Sequence, residues 1–464
     1  MNETTTIVVF GITGDLAQKK LIPALLDLYI AGYLPKTFRI VGVGRKEMTE
    51  DGFRAYLVEH IEKRGHHHSK ERAERFIANT RYLSGDSSQS AIYAELSTYL
   101  AKQDKELGTC SNKLFYLAVP PSLYEPIFDN LANAGLSLPC AGKRGWVRVA
   151  VEKPFGDNAE TAMALDRKLA LLFKEEQIFR IDHYLAKETL ENILTFRFAN
   201  VLFEPAWNNK HIEKVHIELL ESGTVGKRGI FYEGVGALRD VGQNHLLQML
   251  AFIAMEDPKE WSADAIRKAR AEALEHLTLS DKDGEFEGIE GQYEGYLQEE
   301  GVNPLSVVET YFRFDAFVET PRWHGVPFIL ESGKAMEEDR VSITVYFKTQ
   351  ESCVCSGKEG GDAFQNKIVF DIQPDAKISL HLFAKKPGFD MDIQKRIFSF
   401  AYAENTEMKL KDAYERLLYD CLRGDQISFL SSREVECAWR FIMPLLDAWQ
   451  EMEPHVYKTG TRPE

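Results

Sequence analysis

Thr4 to Gly32, TTTIVVFGITGDLAQKKLIPALLDLYIAG, decides the fold of the first part of the chain. Thr4–Phe10 is a short β-branched run that reads as a buried strand. GITGDLA follows as a glycine turn, and the apolar residues of the next segment recur at helical spacing. Gly11, Gly14 and Ala17 fall at the spacing of a dinucleotide-binding turn. The first glycine makes the tight turn, the second lets backbone approach a pyrophosphate, and the small Ala17 lets helix and strand pack closely. The pyrophosphate then lies on the positive end of the helix dipole.

Working outward, a second strand at Phe38–Val43 ends in Gly44-Arg45-Lys46, not in the acid that would hold a ribose 2'-hydroxyl. A carboxylate there would repel a 2'-phosphate, whereas Arg45 with Lys46 beside it binds one, so NADP is favoured over NAD, with Thr13 as a hydroxyl donor. The other reading of Arg45 is a surface cation. Asn112–Val119 and Trp146–Val151 read as further strands, stopping at Pro120-Pro121 and at Glu152-Lys153-Pro154-Phe155-Gly156. Strands of a doubly wound sheet present such ends at their ligand edge, which places Lys153 at the crevice.

Arg180–Glu188, RIDHYLAKE, gathers a carboxylate, an imidazole, a phenol and cations within nine residues. It reads either as a polar linker entering a helix or as an anion site in which His183 and Lys187 donate charge-assisted hydrogen bonds. Beyond it the pattern becomes alternating. Val308–Val318, Val341–Phe347, Ile368–Ile372 and Ile378–Leu382 read as half-buried strands of a large antiparallel sheet. In Lys214–Glu221 the inward parity Val215, Ile217, Leu219 leads to Glu221. Either the strand ends there or an inward carboxylate needs donors, which a polyol supplies. A helical stripe begins at Leu246, putting Asp240 and His245 at or before a helix start that would keep the imidazole neutral as a base. Asp412–Trp449 reads as helices packing back on the body.

The fold class expected is therefore a Rossmann doubly wound α/β domain over residues 1–177, followed by an α+β domain with a large, mostly antiparallel sheet over 178–464. A length of 464 residues accommodates both. The net charge of −15 argues against nucleic acid. No apolar run reaches the roughly 18 residues of a membrane span, and MNETTTIVVFG lacks a signal-peptide pattern, so a cytoplasmic protein is expected. The six cysteines lack paired zinc-site spacing, so reduced thiols and no metal are expected, at Cys353-Val354-Cys355 and His66–His68 included.

GITGDLAQKK, EKPFG, RIDHYLAKE, GALRDVGQNHLLQ, RWHGVPFILESGKA and IQPDAKISLHLFAKKPG occur in that order. With these motifs the chain resembles the glucose-6-phosphate dehydrogenase family along nearly its full length. The resemblance implies NADP-linked oxidation of D-glucose 6-phosphate at C1 to the 1,5-lactone, the first oxidative step of the pentose phosphate pathway. It also implies a homodimer, or a homotetramer, assembled through the broad sheet. By motif, His245 looks like the general base oriented by Asp182, and His183, Tyr184 and Lys187 like the phosphate pocket. Lys153 would lie between substrate and nicotinamide, Glu221 and Asp240 would take sugar hydroxyls, and Lys334 and Gln373 would contact substrate. Gly11, Thr13, Gly14, Asp15, Leu16 and Arg45 correspond to the coenzyme pocket. Two positions depart from the family pattern. Ala186 stands where glycine is usual, which costs strain if the position needs a positive φ. Asp339, followed by Arg340, stands where many members carry a cation. The other readings are an NADP-dependent sugar oxidoreductase of the glucose-fructose oxidoreductase kind and a catalytically silent dinucleotide sensor.

Overall fold

The computed structural model describes residues 4–63, 70–139, 145–279, 288–349, 364–402, 410–450 and 452–463. His66–His68, Cys140, Cys353 and Cys355 lie outside the described residues. The chain forms two compact units, Met1–Ala186 with Lys411–Ser432, and Lys187–Leu410 with Arg433–Glu464.

The first unit is built on β1 (Thr5–Phe10), β2 (Phe38–Gly44), β3 (Thr80–Ser84), β4 (Asn112–Leu117), β5 (Val147–Val151) and β6 (Ile178–Ile181). They are all parallel, in the order 6-5-4-1-2-3. Strands covered on both faces need apolar residues throughout, and β1 and β4 are buried at every position. The helix after β1 opens with a wide π turn, Ala17–Leu21, before Ile22–Ile30. Pro23 explains the widening, because it has no N–H to return to the carbonyl four residues earlier.

The unit does not end at Gln177, as the sequence suggested. Strand β6 pairs with β5, so the sheet carries the unit on to Ala186. The segment Lys411–Ser432 also returns to it, with Phe429–Leu430 adding an antiparallel edge to β6. Its helix, Ala413–Arg423, is set by an Asp412 capping box and ended by Gly424 at φ +81°. Leu417, Leu418 and Leu422 join the core formed by Leu21, Leu25 and Leu26. Arg148 lies over the Trp146 ring and donates to the carbonyls of Cys421 and Leu422 at 2.8 and 2.9 Å.

The second unit holds a ten-stranded sheet. It uses β7 (Ile212–Leu220), β8 (Leu277–Thr278), β9 (Gly288–Tyr293), β10 (Tyr311–Val318), β11 (Pro327–Gly333), β12 (Arg340–Phe347), β13 (Lys367–Gln373), β14 (Lys377–Lys385) and β15 (Ile393–Ala401). The order is 15-14-13-12-7-11-10-9, then His455–Tyr457, with β8 on β10. Pairing is antiparallel except for β7 with β11 and β9 with His455–Tyr457. Val341, Ile343 and Val345 are buried as the alternation requires, but Ser342 and Thr344 are buried too. The second face of β12 meets a layer of paired charges rather than water. Ser342 donates to Glu218, and Arg462 bridges Glu218 and Glu331 at 2.6 and 3.1 Å.

Among the described residues no helix is long and apolar enough to cross a membrane. Cys421 and Cys437 are free and buried, but Cys110 is disulfide-bonded, contrary to the expectation of reduced thiols throughout.

Candidate active site

In the first unit the glycine turn follows β1 as expected. Gly11 has φ +79°, and a side chain there would drive into the Ala118 carbonyl at the end of β4. Only glycine satisfies both constraints. The Thr13 carbonyl accepts from Gln18 at 2.5 Å, and its hydroxyl lies where a Gly44 side chain would reach, 3.1 Å away. Thr13 and the end of β2 are thus neighbours, with Arg45 and Lys46 exposed just beyond. Tyr82 donates to the Lys46 carbonyl at 2.6 Å and fixes that turn. Leu16 is half-buried, and Asp15 is exposed and paired with Lys19 at 2.6 Å. The close backbone approach at Gly11 and the cations after β2 fit a dinucleotide with a 2'-phosphate.

Strand β5 delivers Glu152 and Lys153 at its end, and β6 delivers Asp182. RIDHYLAKE is a strand end, a turn and a helix start. The Asp182 carboxylate accepts the Tyr184 N–H at 3.0 Å, and its main-chain oxygen accepts the Leu185 N–H at 3.0 Å. Tyr184 is buried, and the His183 ring lies nearly parallel to that of Tyr414, 6.0 Å between centroids. Arg180 belongs to the framework, since its buried guanidinium pairs with Asp166 and Glu175. Ala186 carries no strain, because the described non-glycine residues at positive φ are Lys259 and Ala335.

The second unit begins with Lys187, which stands before the helix Glu188–Phe198 and whose carbonyl accepts the Leu190 N–H at 2.9 Å. Strand β7 ends at Leu220, yet the Glu221 N–H still pairs with the Gly333 carbonyl at 2.9 Å. The Glu221 carboxylate meets the buried ammonium of Lys334, which also lies 3.8 Å from Asp240 and 5.9 Å over the Tyr232 ring. Lys334 precedes Ala335, held at φ +53°. Hydrogen bonds from Tyr457 to the Lys334 carbonyl and from Gly460 to the Ala335 carbonyl, both 2.7 Å, secure that turn.

His245 is not at a helix start. A π segment, Leu238–Leu246, runs directly into the helix Leu247–Ala254, so His245 lies well inside a continuous helix and no N-terminal dipole acts on it. The wide turn places Asp240 and His245, five residues apart, on one side. Asn244 supports the opening, donating to the carbonyls of Arg239 and Asp240 at 3.2 and 3.0 Å and accepting the His245 N–H at 2.7 Å. Glu309 takes the Leu238 N–H at 2.9 Å and so anchors the segment's first turn, and burial pushes its carboxyl up to about 6.

Gln373 is exposed at the end of β13, in a cleft it shares with Asp339 and Arg340. Asp339 accepts from the Ser222 N–H and hydroxyl at 2.6 and 2.9 Å, bracing the turn after Glu221. Arg340 pairs with Glu218 and Glu338.

Residues 8–192 match the family model of the glucose-6-phosphate dehydrogenase NAD binding domain, and residues 194–464 match that of the C-terminal domain. The chain belongs to the glucose-6-phosphate dehydrogenase family. It is 40% identical to the glucose-6-phosphate 1-dehydrogenase of Treponema pallidum over 96% of this chain and 88% of that one. A solved glucose-6-phosphate dehydrogenase in complex with its substrate superposes with a TM-score of 0.91, at 32% identity over 100% of this chain and 96% of that one. The Mycobacterium avium enzyme gives 0.86, at 33% identity over 99% and 95%. The chain is accordingly an enzyme that oxidises glucose 6-phosphate with NADP as hydride acceptor. For a glucose-6-phosphate dehydrogenase, sequence reasoning overlooked Asn244, Glu309, Tyr457 and the brace from Asp339. Asn244 precedes the apolar stripe that begins at Leu246, so no helical periodicity marked it in the sequence.

Proposed function

We propose that His245 is the general base of this cytoplasmic enzyme, removing the C1 hydroxyl proton of glucose 6-phosphate, with Asp182 orienting the imidazole. NADP, when bound, accepts the hydride from C1, and the sugar leaves as the 1,5-lactone. One observation carries most of the weight: Glu221 and Asp240 share the Lys334 ammonium, and Asp240 stands on the same π segment as His245. Carboxylates already neutralised by a cation keep lone pairs for sugar hydroxyls, which suits a polyol. His183, Tyr184 and Lys187 hold the phosphate, Lys153 lies between sugar and nicotinamide, and Gln373 contacts the substrate, all by family motif. Gripping the phosphate, remote from C1, turns binding energy into orientation at the reacting carbon. Gly11, Thr13, Gly14, Asp15 and Leu16 line the coenzyme turn.

Arg45 is proposed to hold the 2'-phosphate. Arg45→Glu should then lower kcat/KM for NADP relative to NAD by roughly 10- to 100-fold, the range expected for one charge-assisted hydrogen-bonded contact. Steady-state kinetics with both coenzymes at varied glucose 6-phosphate measures that ratio. An unchanged ratio removes Arg45 from coenzyme choice.

The subunits are proposed to pair as a homodimer, with a homotetramer as the larger alternative. Support comes from the β14–β15 hairpin, which exposes Leu382, Phe398 and Phe400 at one strand parity, Ile397 at the other, and Phe389 and Met391 in the connecting turn. Phe398→Asp with Phe400→Asp should shift sedimentation toward the monomer, and an unaltered sedimentation coefficient would rule out this surface.

A further inference from the structure

Glu152, the residue before Lys153, is a buried acid surrounded by phenols. Tyr116 of β4 donates to its carboxylate at 2.5 Å, and Tyr414 of the returning segment donates to the same group. Tyr124, from the helix Tyr124–Asn133, donates to its main-chain oxygen at 2.8 Å. Three elements thus fix one residue whose successor is Lys153. The phenol of Tyr414 reaches Glu152 while its ring faces His183, 6.0 Å between centroids and 17° from parallel.

We infer that Glu152 and Tyr414 are positioning residues that tie the loop carrying Lys153 to the turn carrying His183. The inference rests on the proposed roles of Lys153 and His183. An apolar filling would cost less than a buried acid, but it would leave the two loops free to shift against each other. The hydrogen-bonded acid fixes one rotamer of each partner.

The arrangement is also sensitive to protons. Burial pushes the Glu152 carboxyl up to about 7, against the hydrogen bonds of Tyr116 and Tyr414 and the charge of Lys153, while Asp182 adds to the rise. Cys421, whose thiol is held well up by burial, also feels the Glu152 charge. Above neutrality the ionised acid draws in both phenols and faces the Lys153 ammonium. Below neutrality that pull is lost.

Four variants test the inference: Glu152→Gln, Tyr414→Phe, their double, and Tyr414→Leu. Glu152→Gln and Tyr414→Phe should each lower kcat roughly tenfold or more, with KM for glucose 6-phosphate within about twofold, and the double should be no worse than either single. Glu152→Gln should also make the acid limb of the kcat profile shallower by one proton. Tyr414→Leu, which removes the ring, should in addition raise that KM roughly tenfold through His183. Native kcat in both singles, additive losses, or an unchanged acid limb would overturn the inference. So would falls in kcat that merely track falling thermal midpoints. Lys153→Gln separates the two levels. If it turns over normally, the role of Lys153 fails and the inference with it. If it is crippled while Glu152→Gln keeps native kcat and pH profile, the inference alone fails.

Discussion

His245→Asn is expected to lower kcat by about 10² to 10⁴, the contribution of a positioned general base, with little change in KM for glucose 6-phosphate. In free energy that is about 3–5 kcal/mol of transition-state stabilisation. Asparagine is near in size and polar, but it cannot accept the C1 proton. The scaffold should tolerate it, because neighbouring side chains hold the wide turn. Asn244 bridges the displaced carbonyls, Glu309 anchors Leu238, and a side chain on Gly242 would press on Leu238 and the Phe312 ring of β10, so the helix is seated closely. Substrate affinity should persist because, in the proposed site, it comes from the phosphate cradle, remote from C1, and from the carboxylates held by Lys334 rather than from the imidazole. The separation between kcat and KM is therefore the diagnostic, read from initial rates of NADPH formation. Turnover within about threefold of the native enzyme would take His245 out of the chemistry.

Much of this was legible in the sequence because it rests on local patterns. The β1 turn could be recognised since Gly11, Gly14 and Ala17 each answer a separate steric demand within seven residues. The alternation in β12 and β13 identified strands, and the parity of β7 pointed toward Glu221. What stayed hidden depends on partners distant in sequence. The return of Lys411–Ser432 is carried by leucines that would suit any amphipathic helix, and Phe429–Leu430 is too short to announce an edge strand. The unit boundary moved from Gln177 to Ala186 because pairing of β6 with β5, not composition, decides it. His245 was misplaced by a related ambiguity. Apolar periodicity begins at Leu246, so the polar π segment before it reads as a loop, although a helix carries it. Glu152 reads as a strand-end acid until Tyr116 and Tyr414 are seen to meet it.

The largest stability effect is expected at a site with no place in the chemistry. Arg270, on the helix Ala263–Glu275, and Glu434, on the helix Ser432–Trp449, are both fully buried, and Nε donates to the carboxylate at 2.8 Å. The guanidinium also lies 5.3 Å over the Phe252 ring, on the helix that follows His245. Taking two charges out of water is costly, so such a pair contributes little net stability against apolar residues of the same volume. Removing one partner is different, because the remaining charge loses its compensation. Arg270→Met should destabilise the second unit by about 3–5 kcal/mol, and Arg270→Met with Glu434→Leu should recover most of that. Because a chain of two units need not unfold in one step, the measurement is the denaturant midpoint of the transition that abolishes turnover. Equal destabilisation in the single and double variants would mean that shape, not charge compensation, is what the pair provides.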